Sequence, residues 1–148
     1  MAEEKAVDVT PISVQNGKRR FLTKQEIYAV DDTIFEDVQV PEWSEDGFVR
    51  VFGLTGTERD AFEASMVVTV GNKQSVNTEN IRAKLCVLAI RDENGKPMFD
   101  MADVHSLGQK SAAALDRVYE VAARLSKISK EDVDEMVKNS GKGRSKDS

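Results

Sequence analysis

The sequence predicts an α+β fold, predominantly α, with about six helices and one β-hairpin at about residues 36–54. Three observations predict it. A hydroxyl residue followed three positions later by an acid recurs at Thr23/Glu26, Thr55/Glu58 and Ser129/Asp132, each just before an apolar periodic run, and such pairs cap helix starts. Only one stretch alternates apolar and polar residues in the manner of a hairpin. Strands and helices do not alternate along the chain and nothing repeats, so a parallel sheet is not expected.

The elements follow in order. Residues 1–20 hold no sustained periodicity and contain Pro11 and the turn signal Asn16-Gly17, so they read as a flexible arm. Thr23 and Glu26 open a short helix over Lys24 to Val30, with Leu22 and Ile27 at the hydrophobic-staple positions. Val38 and Val40 alternate with polar residues up to Pro41, which confines that strand to an edge or ends it. Phe48-Val49-Arg50-Val51-Phe52 forms the second strand, with Asp46-Gly47 in or beside the turn. A hairpin alone is marginal in water, so this one is expected to lie on the helices.

Thr55 opens a helix to about Met66, and Val67 to Val76, containing Gly71-Asn72, reads as a loop, a little extended structure within it being the alternative. A third helix from Asn77 or Thr78 to near Arg91 carries the stripe Ile81, Leu85, Leu88 and Ala89, ahead of the turn Asp92 to Pro97. A short helix from Met101 to Leu107 stops at Gly108, read as the left-handed residue after its end. The longest helix begins near Ser111 and breaks at Lys127, and Ser129 caps a last one, with Ile128 and Val133 as its staple. Residues 141–148 read as a flexible tail, leaving one helical domain over 21–140. The core is expected to contain Ile27, Val51, Phe62, Ile81, Leu85, Leu88, Leu115, Val118, Tyr119, Ala122 and Leu125.

Composition narrows the function. The 148 residues are 40% hydrophobic and 32% charged, ordinary for one soluble domain. The net charge of −5 argues against a nucleic-acid binder. No apolar run reaches the roughly 20 residues of a membrane span, the N-terminus does not read as a signal peptide, and the single Cys86 allows no intrachain disulfide, so a cytosolic location is expected. Seven acids and no base lie between Asp31 and Asp46, while Lys138, Lys142, Arg144 and Lys146 make the end of the chain basic. Such blocks are commonly solvated faces, and steering of a partner is the alternative.

Parts for catalysis are few. His105 is the sole histidine, with no nucleophile marked beside it, and it reads as a surface residue. Cys86 sits within the third helix and reads as a small core residue. One Cys and one His cannot make a usual zinc site, and Asp92-Glu93-Asn94-Gly95 lacks calcium-loop spacing. There is no glycine pattern for a nucleotide, so neither cofactor nor enzymatic activity is expected. Trp43, Phe48 and Phe52, large apolar groups on or beside an edge hairpin, are the candidate partner-binding residues, the alternative being that they seal the hairpin onto the helices.

Three blocks resemble the tail assembly chaperones of long-tailed, siphophage-type bacteriophages. The first is Val38 to Trp43, then Phe48 to Val51 and Leu54 to Asp60; the second is Asn80 to Leu85, continuing to Asp92 through Phe99; the third is Leu107 to Arg117, followed by Val118 to Leu125. In that order they cover roughly Phe21 to Ser140, and the first 20 residues lie outside the resemblance. The resemblance implies a chaperone that binds and solubilises the tape-measure protein in the cytoplasm of the infected host and leaves before the virion is complete. It also implies a longer form, made by programmed frameshifting, that recruits tail tube subunits, and Gly141-Lys142 is a dipeptide that slippery codons could encode. Self-association is left open. The competing reading is a structural virion component, such as a head-tail connector or tail completion protein.

Overall fold

The computed structural model describes residues 18–129, 131–135 and 138. The arm and tail readings, Gly141-Lys142 included, fall almost wholly outside these residues. The chain divides into two compact units, Met1–Asp32 and Thr33–Ser148.

The first unit contains α1 (Lys24–Ala29). Thr23 Oγ1 accepts from the Glu26 N–H at 3.2 Å, and the Glu26 carboxylate accepts from the Thr23 N–H at 2.9 Å, so the capping box forms as its spacing requires. Arg20 ion-pairs with Glu26. The core position expected for Ile27 is corrected: it is 53% exposed, and α1 buries no residue. A staple sets the angle at which a chain enters a helix; it does not supply a surface to bury that helix against.

The second unit runs β1 (Phe35–Gln39), β2 (Phe48–Phe52), α2 (Gly56–Ala64), β3 (Val67–Val70), β4 (Lys73–Val76), α3 (Ile81–Ala89), β5 (Ile90–Arg91), a 3-10 turn (Met101–Asp103), α4 (Val104–Gly108) and α5 (Ala112–Leu125). Residues 131–135 are helical. There the Ser129 hydroxyl accepts from the Asp132 N–H at 3.0 Å and the Asp132 carboxylate accepts from the Ser129 N–H at 2.8 Å.

The fold is mixed α+β, but its strands form two small antiparallel sheets where one hairpin was expected. β1 and β2 pair from Phe35↔Phe52 to Gln39↔Phe48. The Val40 N–H adds one bond to Gly47 at 3.1 Å before Pro41, which has no N–H to give, closes the ladder. β5 then adds a third strand through Val51↔Ile90 and Arg50↔Arg91. The third helix ends at Ala89, close to the expected end near Arg91, and Ile90 is already extended, with its side chain buried in the core and its backbone paired with β2. The second sheet, β3 with β4, occupies the segment read as a loop. Gly71 supplies the positive φ of +65° at the first position of its two-residue turn.

α2 starts as predicted, with Thr55 and Glu58 bonded reciprocally at 3.1 and 2.9 Å, and turns Phe62 inward. Thr55→Ala is expected to cost about 1 kcal/mol, read as a lower urea midpoint at unchanged slope. α3 begins later than Asn77 or Thr78, because the Asn77 carboxamide takes the Glu79 N–H at 2.8 Å and holds those residues in a turn. It is the central helix, burying Ala83, Leu85, Cys86, Val87 and Ala89. Gly108 is the last residue of α4 and does not take the left-handed conformation expected of it. Its small size answers a close approach instead: a Cβ there would lie 2.7 Å from Asn80 Oδ1.

α5 buries Ala114, Leu115, Val118 and Ala122. It ends in a Schellman pair, Ile128 N–H to Ala123 C=O at 2.8 Å and Lys127 N–H to Arg124 C=O at 3.2 Å, with Lys127 at φ +58°. Of the other expected core residues, Val51, Phe62 and Leu85 are buried, and Ile81, Leu88, Tyr119 and Leu125 are half-buried. Gly53 lets β2 meet α5, since a Cβ there would stand 2.9 Å from the Leu125 carbonyl oxygen. Gly53→Ala is expected to force the two apart and lower stability by about 1–3 kcal/mol in a denaturant titration.

Candidate protein-binding surface

The three-stranded sheet has one face on the core and one turned away. Strand alternation puts Val38, Val49, Val51 and Ile90 on the inner face. The same alternation puts Phe35, Asp37, Phe48, Arg50, Phe52 and Arg91 on the outer face. On that outer face the Phe35 and Phe52 rings lie 5.0 Å apart at 39°. The Arg50 guanidinium stands 4.3 Å above Phe35 and that of Arg91 stands 4.5 Å above Phe52. Phe48 is 61% exposed and Met98 50%. Together with Asp37, Arg50, Arg91 and Glu93 they line a shallow groove of about 480 Å³.

Carboxylates and carbonyls fix both arginines. Arg50 meets Asp37 with two bonds, at 2.8 and 3.0 Å, and reaches the Glu93 carbonyl at 3.3 Å. Arg91 donates to both oxygens of Glu58 at 3.3 and 3.1 Å, which ties β5 to the start of α2. The guanidinium planes are therefore already in place to stack against apolar groups, so little rotamer entropy is lost on contact.

The three candidate residues do not form one patch. Phe48 and Phe52 share the outer face, but Phe52 is buried beneath Phe35 and Arg91, and only Phe48 stands open. Trp43 lies in the connection between β1 and β2, half-buried against the core, and its buried indole N–H has no protein partner among the described residues. Phe35 and Met98 were missed. Phe35 sat one residue outside the expected hairpin, and Met98 follows a turn with no periodicity of its own.

The acidic run is partly neutralised. Glu36 takes Arg124 with two bonds at 2.8 Å, and Glu42 takes Arg117 at 2.8 and 3.1 Å. These arginines are seven residues apart on α5, hence on one side of it, and strap the hairpin along that helix. Bonds from the arginines hold the carboxyls of Glu36, Asp37 and Glu42 below their ordinary values. Their folded values being depressed, whatever stability they add is present above the ordinary carboxylate range and is lost as pH falls through the lowered values. Urea midpoints are expected to be level from about pH 7 to 5 and to fall below about pH 4. A midpoint that rises on acidification would contradict these pairings.

Cys86 and His105 offer no paired chemistry. Cys86 is buried in α3 with Sγ 3.7 Å from the Leu115 carbonyl, and burial pushes its thiol up to about 12. It is expected to resist a thiol reagent in the folded protein and to react in full after denaturation. His105 is exposed on α4. Among the described residues no group of three or more His, Cys, Asp or Glu is placed to hold a metal ion, and no helix is long and apolar enough to cross a membrane.

No protein-family model and no curated protein matches the chain. The fold is similar to the structure of the bacteriophage HK97 tail assembly chaperone, with a TM-score of 0.49 and 14% identity, over 68% of this chain and 90% of that one.

Proposed function

We propose that the chain is a tail assembly chaperone of a long-tailed bacteriophage, which binds the tape-measure protein and keeps it soluble in the infected host's cytoplasm. In a longer frameshifted form it would also help recruit tail tube subunits. The observation that supports this most is the ordered set of three sequence blocks resembling that family. The first block lies on the β1–β2 hairpin and the start of α2, the second on α3 and the turn after β5, and the third on the end of α4 and on α5. A long helical protein exposes apolar stripes before it is enclosed and would aggregate through them. Many copies of a small protein, each binding modestly through an apolar patch, could cover those stripes and later be displaced. The outer sheet face has the right composition for such a patch, with Phe48, Phe35 and Met98 beside two fixed arginines. The chain works in this account by binding and not by catalysis.

Mass spectrometry of purified virions separates this reading from a structural virion component. The chain is expected in lysates of infected cells and absent from finished particles. Stoichiometric retention in the particle would identify a connector or completion protein instead.

A further inference from the structure

We propose that the groove on the outer sheet face takes an amphipathic helix whose apolar stripe is bordered by Lys or Arg, so that the segments of the tape-measure protein this chain covers are basic ones. The inference rests on the proposed function only for the identity of that protein.

The backbone favours a helix over a strand as occupant. At Arg50, which lines the groove, β2 is paired on both sides, with Asp37 of β1 and with Arg91 of β5. An extended segment laid there finds no open edge to join, whereas a helix satisfies its own backbone and needs only side chains to rest on. The apolar groups are spaced for one. Phe48 and the stacked pair of Phe35 and Phe52 stand four residues apart along β2, about 13 Å, close to the roughly 11 Å of two helical turns. Arg50 comes between them in the strand, with its guanidinium over Phe35. Met98 also lines the groove, and its unbranched thioether adapts to partners of different shape, which suits a surface that meets many segments of a long chain.

Charge decides what borders the stripe. Both guanidiniums of the groove already have a carboxylate, Arg50 that of Asp37 and Arg91 that of Glu58. The other two acids lining it, Asp92 and Glu93, make no ion pair among the described residues, although Glu93 adds its field to Arg50. The backbone N–H groups of Lys96 and Asn94, at 3.0 and 2.8 Å, fix the Asp92 carboxylate and hold it below its ordinary range, so it stays charged. The turn just before Phe48 adds Glu45 and Asp46, both exposed and also without an ion pair among the described residues. Lys96, in the turn with Asp92 and Glu93, offsets one of these four. A Lys or Arg beside the stripe of an incoming helix therefore meets an unmatched carboxylate, and a Glu meets a like charge.

Two synthetic helical peptides test it on the full chain by fluorescence anisotropy. They share one apolar stripe, bordered in the first by Lys and in the second by Glu. The Lys peptide is expected to bind roughly fivefold tighter or more in low salt, and the two to converge in about 1 M salt, where the screening length is about 3 Å. Asp46→Lys and Glu93→Lys together are expected to remove or reverse the preference. Glu120→Lys is expected to keep it, because Glu120 is exposed on α5, which packs on the inner face of the sheet. Equal binding of the two peptides to the wild-type chain, tighter binding of the Glu peptide, or no binding of either at about 1 mM would overturn the inference, whether or not the double variant folds. So would a preference that a folded double variant leaves intact or that Glu120→Lys abolishes. None of these outcomes decides whether the chain keeps a tape-measure protein soluble, which co-expression measures separately.

Discussion

Phe62→Ala is expected to destabilise the fold by about 3–5 kcal/mol, and Leu85→Ala by about 2–5 kcal/mol. Phe62 is the one buried residue of α2, and Leu85 is fully buried on the central helix. Both have neighbours that cannot easily collapse into the space left. Both belong to one core cluster with Met66, Leu115, Val118 and Ile128, none of which lies on α2 or α3, the helices that carry Phe62 and Leu85. A domain of this size has a total stability of roughly 5–15 kcal/mol, so either change removes a large share of it. Guanidinium titration should show a lower midpoint at unchanged slope. Two unchanged midpoints would mean that the core lies elsewhere.

Phe48→Asp is expected to leave folding within about 0.5 kcal/mol of wild type while weakening tape-measure binding by roughly 30-fold or more, the size of a hot-spot loss. The ring is mostly in solvent, so the fold loses little, and a carboxylate in its place sets a desolvation cost against any apolar partner. Trp43→Ala should behave in the opposite way, with a lower denaturation midpoint, because Trp43 packs against the core. If Phe48→Asp unfolds the protein, or binds as well as wild type, the outer sheet face is not the contact. If Trp43→Ala instead abolishes binding at full stability, the contact includes the connection between β1 and β2.

The sequence was most legible where a local rule has a local cause. The boxes at Thr23, Thr55 and Ser129 close within four residues of chain and form as their spacing implies. The inner face of the first hairpin was readable because burial on one side imposes alternation on Val38, Val40, Val49 and Val51. The second hairpin was not, since β3 buries neither face and so has no period to read; only its β-branched run hinted at a strand. Ile90 and Arg91 look like helix in isolation, and only the free edge of β2, distant in sequence, makes them a strand. Ile27 failed for the opposite reason, because a sound local signature says nothing about whether another surface is available. The candidate site was legible in part. Phe48 and Phe52 were found as large apolar groups, but tertiary partners decided which stays open: Arg91 and Phe35 cover Phe52. The pairing of Glu36 and Glu42 with two arginines of α5 has no local signature at all.

Co-expression with the cognate tape-measure protein tests the central claim most directly. The quantity to measure is the fraction of tape-measure protein that stays in solution after high-speed centrifugation and co-purifies with this chain. Wild-type chain is expected to move most of it from pellet to supernatant, as a complex recoverable on the chain's affinity tag. A tape-measure protein equally soluble alone, or one that never co-purifies, would contradict the account.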